Sequence, residues 1–287
     1  LIGLSTMWPC AATAGTTPAS PAAVEFPTQD ALIQEAREAL KKRDKARLET
    51  LRDTAQRQAH PLAPWVDYWF LGLRLGEVGT AEVERFYQRW PGSYVEDRLR
   101  NDWLLELGRR RAWEDFLRDM PRFKMNDDRE VTCYSILAEH ELRRSSSNPS
   151  PNDIHDRALN AWLAQREADD GCKTMGRTLV QAKVLNTEAA WRKLQMAIET
   201  NRPKVARQTA ESLGTPVDKA IVEITDNATK ALDAKRAWPA AHAGALAALA
   251  LARRAQDAPE DAAKRLEDRW ARQMPAEWQA WAWAQIG

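Results

Sequence analysis

Residues that build β-sheets and long apolar runs are both scarce in this sequence. β-Branched residues are few, only 12 of the 287 residues are glycine, and no stretch alternates polar and apolar residues with period two. Alanine, leucine, arginine, glutamate and glutamine dominate instead, and this composition favours an all-α protein. After the first residues, no stretch approaches the roughly 20 apolar residues that a membrane-spanning helix needs. We therefore expect no membrane insertion.

An excess of charge of one sign is missing as well. The 42 basic and 41 acidic side chains nearly cancel, so no net field attracts nucleic acid, and we expect none as a partner. The four histidines are scattered, and no C-x-x-C pair, glycine-rich phosphate loop or G-x-S-x-G element occurs. The carboxylates stand among arginines and lysines on polar helix faces. The residues alone therefore predict no catalytic residue, no metal ligand and no cofactor.

The first 28 residues do not follow the helical pattern of the rest. Residues 1–14 are mostly apolar and small and end in Ala-Thr-Ala, which is typical of the tail of a secretory signal peptide, and we expect export. A disordered N-terminal scar is the alternative. Lipidation of Cys10 is less favoured, because Pro9 stands where small residues are usual. Residues 15–28 are rich in Ala, Pro and Thr and are predicted to be a linker.

From Gln29 onwards, apolar stripes at helical spacing alternate with breaks marked by Pro or Gly. Such short helices predict a tetratricopeptide-like solenoid of antiparallel helix pairs, although no strict repeat consensus is visible. The predicted fold class of residues 29–287 is therefore an all-α superhelical domain. Ser145–Asp153 is predicted to be an exposed loop within it. The last helix carries three tryptophans where a terminal repeat normally has a polar outer face, which indicates a domain incomplete at its C-terminus.

The stretch Trp90–Leu117 shows the repeating unit most clearly. Ser93 is the expected N-cap of its first helix, with Glu96 completing a capping box. Gly108 is the expected left-handed residue that ends this helix. A second helix follows, so the stretch is predicted to be a helical hairpin.

Tryptophan is abundant, with 13 residues in the chain. Tryptophan stacks on sugar rings, but it more often fills seams between helices. We therefore expect core packing for most of these side chains and assign no sugar site. The predicted scaffold core consists of large apolar residues on helical stripes: Trp65, Trp69, Leu99, Trp103, Leu104, Leu107 and Trp113.

Two cysteines, Cys133 and Cys172, remain after removal of the predicted leader. In an exported protein such a pair predicts one disulfide. It would close a loop of about 40 residues and stabilise the fold by ~4 kcal/mol in the chain-entropy model. Two buried free thiols are the alternative.

Three segments, in this order, resemble the N-terminal region of bacterial soluble lytic murein transglycosylases. They are HPLAPWVDYWFLGLRL at His60–Leu75, WPGSYVEDRLRNDWLLELGRRRAWEDFL at Trp90–Leu117 and REVTCYSILA at Arg129–Ala138. WRKLQMAIETNRPKVARQTAESL at Trp191–Leu213 is similar to a later helical pair of that family. Cys133 and Cys172 match two cysteines that form a disulfide in the family, so the resemblance implies this bond.

The resemblance also implies a function. Members of the family are periplasmic enzymes in which a U-shaped superhelical domain is joined, through a second helical segment, to a lysozyme-like domain. That last domain cleaves the β-1,4 bond between N-acetylmuramic acid and N-acetylglucosamine of peptidoglycan to 1,6-anhydromuramic acid products. A catalytic Glu followed by Ser performs this chemistry.

The match departs from the family at the catalytic residues. The pair Glu211-Ser212 lies in a superhelix-type segment, and the catalytic domain is expected beyond Gly287. The implied role of residues 29–287 is therefore a non-catalytic scaffold. Its partners would be peptidoglycan glycan strands, bound through the missing domain, and other cell-wall enzymes. A free-standing tetratricopeptide-like adaptor in the periplasm is the alternative.

Overall fold

The computed structural model of the chain describes residues 29–144, 151–234 and 238–287. The predicted leader at residues 1–14, the linker at 15–28 and Cys10 lie outside these ranges. Within them the backbone forms helices and turns and contains no strand. The predicted all-α fold class is confirmed.

The chain divides into two compact units, the first of which ends at Leu73. Its described part contains three helices, each packed on the other two: α1 (Gln29–Lys41), α2 (Lys45–Arg57) and α3 (Ala63–Gly72). The apolar stripe of the sequence is interrupted at Arg43-Asp44, which predicts a turn there. The turn is present before α2: Arg43 adopts a left-handed φ of 53°, and the Asp44 carboxylate accepts the Arg47 N–H at 3.0 Å. Leucine and phenylalanine side chains fill the centre of this unit: Leu32, Leu48, Leu51 and Phe70.

The second unit begins at Arg74 and contains the remaining helices. They are α4 (Thr80–Arg89), α5 (Tyr94–Arg110), α6 (Trp113–Asp119), α7 (Arg129–Arg144), α8 (Pro151–Ala164), α9 (Asp170–Gln181), α10 (Thr187–Glu199), α11 (Pro203–Ala210), α12 (Thr215–Asp226), α13 (Ala228–Asp233), α14 (Ala243–Ala255), α15 (Pro259–Arg265) and α16 (Ala276–Ile286). Most of these helices pack on their neighbours in the chain or on the helix after next. Short connections between packed neighbours make antiparallel pairs, which is the predicted repeating unit.

Helix α14 forms the centre of the C-terminal half of this unit. Nearly every residue from Gly244 to Ala252 is buried, because α14 packs against helices α10, α12, α13, α15 and α16. A helix surrounded on all sides needs small side chains, and its Ala-rich sequence supplies them. The tryptophans of α16 are half-buried against this core: Trp278, Trp281 and Trp283.

A buried ion network joins α4, α5 and α6. Arg100 on α5 is 2% exposed, and its guanidinium carbon lies 3.9 Å from the centre of the Tyr87 ring on α4. Arg100 forms ion pairs with Asp119 at the end of α6 and with Glu96 at 2.7 Å. The Tyr87 hydroxyl donates to Asp119 at 3.2 Å. Because Arg100 has two carboxylate partners, it avoids the penalty that a lone buried charge would carry.

Helix α5 begins at the predicted N-cap but ends later than predicted. The Ser93 hydroxyl accepts the Glu96 N–H at 3.3 Å, and the Glu96 carboxylate accepts the Gly92 N–H at 2.5 Å, so the box closes one residue earlier than predicted. The prediction that Gly108 ends the helix is wrong. Helix α5 continues to Arg110, and Arg111 is the left-handed residue, with a φ of 56°.

Gly108 has a packing role instead. A Cβ atom at this position would lie 2.5 Å from the Tyr134 ring of α7, so only glycine lets the two helices approach this closely. Gly176 on α9 has the same relation to Trp162 on α8, at 2.4 Å. Each glycine therefore leaves space for an aromatic ring of a neighbouring helix.

The predicted scaffold core separates into two groups. Leu99, Trp103, Leu104 and Leu107 are buried, with at most 2% exposure. Trp65, Trp69 and Trp113 differ from the prediction, because the structure leaves them only half-buried. Each packs one side of its ring against other aromatic rings: Trp65 against Tyr68 and Trp69, and Trp113 against Tyr134. A tryptophan on a helical stripe is large enough to reach the core and the surface together.

Two stretches differ from what the sequence pattern predicts. The apolar spacing from Ile221 to Ala234 predicts one helix, but the structure has two, separated at Asn227, whose side chain accepts the Lys230 N–H at 2.9 Å and caps α13. The predicted loop Ser145–Asp153 overlaps α8, which begins at Pro151, where proline is well suited to a first helical turn. The rest of that loop lies outside the described residues.

We expect Gly108→Ala to lower the free energy of unfolding by about 1–3 kcal/mol. The added methyl group must displace Tyr134, and this strain outweighs the helix propensity that alanine gains over glycine. Urea unfolding monitored by circular dichroism measures the difference. Gly76→Ala is the matched control, because nothing lies within 4 Å of a Cβ at that position. Equal stabilities of the two variants would contradict the packing role.

Candidate functional site

The two cysteines that the sequence predicts to form a disulfide meet where α7 and α9 adjoin. Cys133 on α7 and Cys172 on α9 are both fully buried and joined by a disulfide, with an S–S distance of 2.05 Å and Cα atoms 4.9 Å apart. The bond connects two helices that are also in extensive contact. The structure thus contains the disulfide and not the pair of free thiols.

Helix caps place the two cysteines side by side. The Asp169 carboxylate accepts the Cys172 N–H at 2.7 Å and begins α9. Asp128 precedes α7 in the same way, accepting the Glu130 N–H at 2.8 Å. Glu130 then reaches across and accepts the Gly171 N–H at 3.1 Å. The first turns of α7 and α9 are therefore joined by the hydrogen bond between Glu130 and Gly171 as well as by the disulfide.

Two carboxylates of this junction, Glu130 and Asp169, have raised pKa values. Burial raises the pKa of Glu130, and the nearby negative charge of Asp169 adds to the effect. Burial also raises the pKa of Asp169, against the hydrogen bonds from Cys172 and Gln165, which lower it. A raised pKa is a property of general acids, but it also arises in structural clusters. Here each carboxylate accepts backbone N–H groups, which indicates a structural role.

The Glu-Ser pair of the sequence analysis is also held in structural contacts. Glu211 and Ser212 lie in a single turn after α11. The Glu211 carboxylate forms ion pairs with Lys173 at 2.9 Å and with Arg177 at 3.9 Å. The Ser212 hydroxyl donates to the Thr209 carbonyl at 2.7 Å. Glu211 therefore joins the turn after α11 to α9, and Ser212 stabilises the turn itself.

A cleft of about 460 Å³ lies beside the junction, between the end of α8, the second half of α10 and the start of α11. Lys193 lies at its base, is 2% exposed, and donates from Nζ to the carbonyls of Trp162 and Gln165, the second at 2.9 Å. Burial lowers the pKa of Lys193 to about 8. Arg129 donates to the Ala164 carbonyl at 2.6 Å. These cations cap the C-terminal end of α8.

Sequence reasoning missed these cations, although Lys193 carried a signal. It lies four residues after Ala189 and four before Ala197, on the apolar stripe of α10, where a lysine is unexpected. No such signal marks Arg129 or Arg202. Arg129 donates to the Ala164 carbonyl, 35 residues away in the chain, and Arg202 donates to the Arg166 carbonyl, 36 residues away.

The described residues contain no group of three or more His, Cys, Asp or Glu side chains placed to hold a metal ion. In the same ranges, no helix has both the length and the apolarity needed to cross a membrane.

The geometry defines the fold as an all-α arrangement of paired helices. Two solved structures are similar to it: an inactive variant of the lytic transglycosylase Slt from Pseudomonas aeruginosa, with a TM-score of 0.50 and 22% identity, and the 70 kDa soluble lytic transglycosylase Slt70 from Escherichia coli, with a TM-score of 0.55 and 16% identity. No protein-family model and no curated protein matches the chain.

The two matches cover 89% and 90% of this chain and 41% of each solved chain. The chain therefore spans less than half the length of these proteins. The resemblance stated from the sequence is confirmed at the level of the fold, since identities this low establish the fold and leave activity open.

We expect the double variant Cys133→Ala/Cys172→Ala to lose about 4 kcal/mol of stability, because the bond closes a loop with a sequence separation of 39. Chemical denaturation of both proteins, with and without reductant, measures the loss. Reductant should destabilise the wild-type protein by a similar amount and leave the variant unchanged. A wild-type midpoint that does not respond to full reduction would refute the prediction.

We expect Glu130→Gln to stabilise the protein at pH 7. Because the pKa of Glu130 is raised in the folded state, its ionisation opposes folding, and this cost is fully present above the folded pKa. The gain should therefore shrink as the pH falls through the raised pKa towards the ordinary value of 4.5.

Thermal unfolding between pH 4 and pH 7 tests this dependence. Glu84→Gln is the control of opposite sign, because the hydrogen bond from Arg122 lowers the pKa of Glu84. That variant should be less stable than the wild type at pH 7, and the difference should stay constant until the pH falls below the ordinary value of 4.5. A Glu130→Gln effect that is independent of pH would contradict the assignment.

Proposed function

We propose that residues 29–287 form the non-catalytic helical scaffold of a periplasmic lytic murein transglycosylase. The observation that carries the proposal is the likeness in fold to two lytic transglycosylases over 89% and 90% of this chain. The three sequence segments that resemble the same family also support it. Trp90–Leu117 contains α5, and Arg129–Ala138 lies in α7 and contains Cys133 of the disulfide.

The parent enzyme would cleave the β-1,4 bond between N-acetylmuramic acid and N-acetylglucosamine in peptidoglycan and release 1,6-anhydromuramic acid products. No water is consumed in that reaction, so the enzyme would be a lyase acting in cell-wall turnover. The matched region covers 41% of each solved chain, and the catalytic Glu-Ser pair would belong to the remainder. Residues 29–287 would hold the catalytic domain and restrict the access of glycan strands.

Features of the described residues support a holding role. The junction of α7 and α9 combines a disulfide with the hydrogen bond between Glu130 and Gly171, and Arg100 forms ion pairs with Glu96 and Asp119. Such contacts favour rigidity over adaptation to a ligand. A disulfide persists in oxidising compartments, which supports the periplasm as the location, together with the export pattern of residues 1–14.

The test compares two proteins on purified peptidoglycan sacculi: the 287-residue chain and the complete product of its gene. We expect the complete product to release 1,6-anhydromuropeptides, detected by liquid chromatography and mass spectrometry. The chain alone should release none. Replacement of the Glu in the expected Glu-Ser pair by Gln should abolish release by the complete product.

Two results would overturn the proposal. If the gene ends at Gly287, or encodes no Glu-Ser helix beyond it, a free-standing tetratricopeptide-like adaptor becomes the better description. If the chain alone releases anhydromuropeptides, the chemistry lies within it and the scaffold role is wrong.

A further inference from the structure

The cleft between α8, α10 and α11 contains cations without carboxylate partners. Four of its lining residues are basic: Arg129, Arg166, Lys193 and Arg202. Arg202 forms an ion pair with Glu167 at 3.1 Å, whereas the other three have no carboxylate ion pair among the described residues. No Asp or Glu side chain lines the cleft.

The remaining negative charge near the cleft is too small to neutralise these cations. The C-terminal ends of α8 and α10 face it, and each contributes roughly half a negative charge. Asp169 also acts on Lys193, and the hydrogen bonds that it accepts from the Cys172 N–H and the Gln165 side chain leave its negative charge in place. Glu167, Asp169 and the two helix ends together carry about three negative charges against four basic groups, so the cleft keeps a small positive charge.

Donor groups remain available in the cleft. The structure gives Arg129 one hydrogen bond, from Nη1 to Ala164, and a guanidinium has five N–H groups. Lys193 uses two of its three N–H groups, on the carbonyls of Trp162 and Gln165. Arg129 and Arg166 are both exposed. Exposed guanidinium groups can bind a carboxylate through two parallel hydrogen bonds.

The same cleft also has an apolar wall beside its cations. Its lining includes Leu163, Met196 and Val205. Met196 is 36% exposed, which makes it one of three large hydrophobic side chains that are exposed in the described ranges. Methionine adapts its shape to aliphatic ligands. A bare inorganic anion would use the cations and leave this apolar wall in water.

We propose that this cleft binds a carboxylate-bearing peptide with an aliphatic side chain, the carboxylate on Arg129 and Arg166 and the aliphatic group on Met196. Lys193 and the end of α8 form the positively charged base of the site. The site would exist whether or not the parent protein is a transglycosylase, so this proposal and the proposed function fail separately.

Calorimetric titration of the 287-residue chain with N-acetyl-alanyl-leucine tests the site. The matched ligand is the same dipeptide with its C-terminus amidated, which keeps the leucine and removes the charge. We expect the carboxylate form to bind roughly 10-fold more tightly than the amide, as the loss of a charge-assisted pair predicts. Inorganic phosphate, which lacks the aliphatic group, should bind more weakly than the dipeptide.

The protein variants provide a second comparison. Arg129→Met/Arg166→Met should weaken binding of the dipeptide by roughly 10-fold. Lys219→Met/Lys264→Met removes the same amount of charge outside the cleft and should leave binding unchanged. All four side chains are exposed, so both double variants should retain the wild-type circular dichroism spectrum. Arg129→Met also removes the hydrogen bond to the Ala164 carbonyl, so a slightly lower thermal midpoint is expected for that double variant.

Several outcomes would overturn the proposal. No binding of the dipeptide at ~10 mM would place the affinity below a useful range. Equal affinities for the carboxylate and the amide would show that the cations do not contribute to binding. Phosphate binding as tight as that of the dipeptide would show that the apolar wall does not contribute to binding. An equal loss in the two double variants would show general charge attraction and no site.

Discussion

Close contact between helices at glycine is the constraint on which the middle of this structure depends. Gly108 and Gly176 have no side chain where Tyr134 and Trp162 cross them, at distances that any Cβ atom would violate. These contacts hold α5 against α7 and α8 against α9. Gly171 allows the same close approach between α9 and α7, because a Cβ atom there would lie 2.7 Å from Glu130 Cγ, and the disulfide joins the two helices beside this contact.

Polar side chains in this fold act mainly on the backbone and on one another. Arg100 pairs with two carboxylates, Glu130 accepts an N–H group from α9, and Lys193 donates to two carbonyls at the end of α8. Each group would be costly to bury alone and is stable because its partner is buried with it. The same arrangement explains why raised or lowered pKa values here accompany structural contacts.

Much of the helix pattern was predictable, because apolar spacing and caps act over a few residues. The hairpin of α5 and α6 and the turn before α2 are examples. The sequence also raised the pairing of Cys133 with Cys172, although the residues alone left free thiols open. The packing role of Gly108 and the partners of Arg129 were beyond reach, since they depend on residues distant in the chain. The half-burial of Trp65 and Trp113 likewise depends on which neighbour covers each ring.

The disulfide connects α7 directly to α9 and leaves α8 inside the closed loop. A protease that cuts any peptide bond between Cys133 and Cys172 would therefore produce two chains that remain one covalent molecule. The fragments would separate on a denaturing gel only after reduction. In a compartment rich in proteases, this loop gives the protein a region where a single backbone break does not release either part.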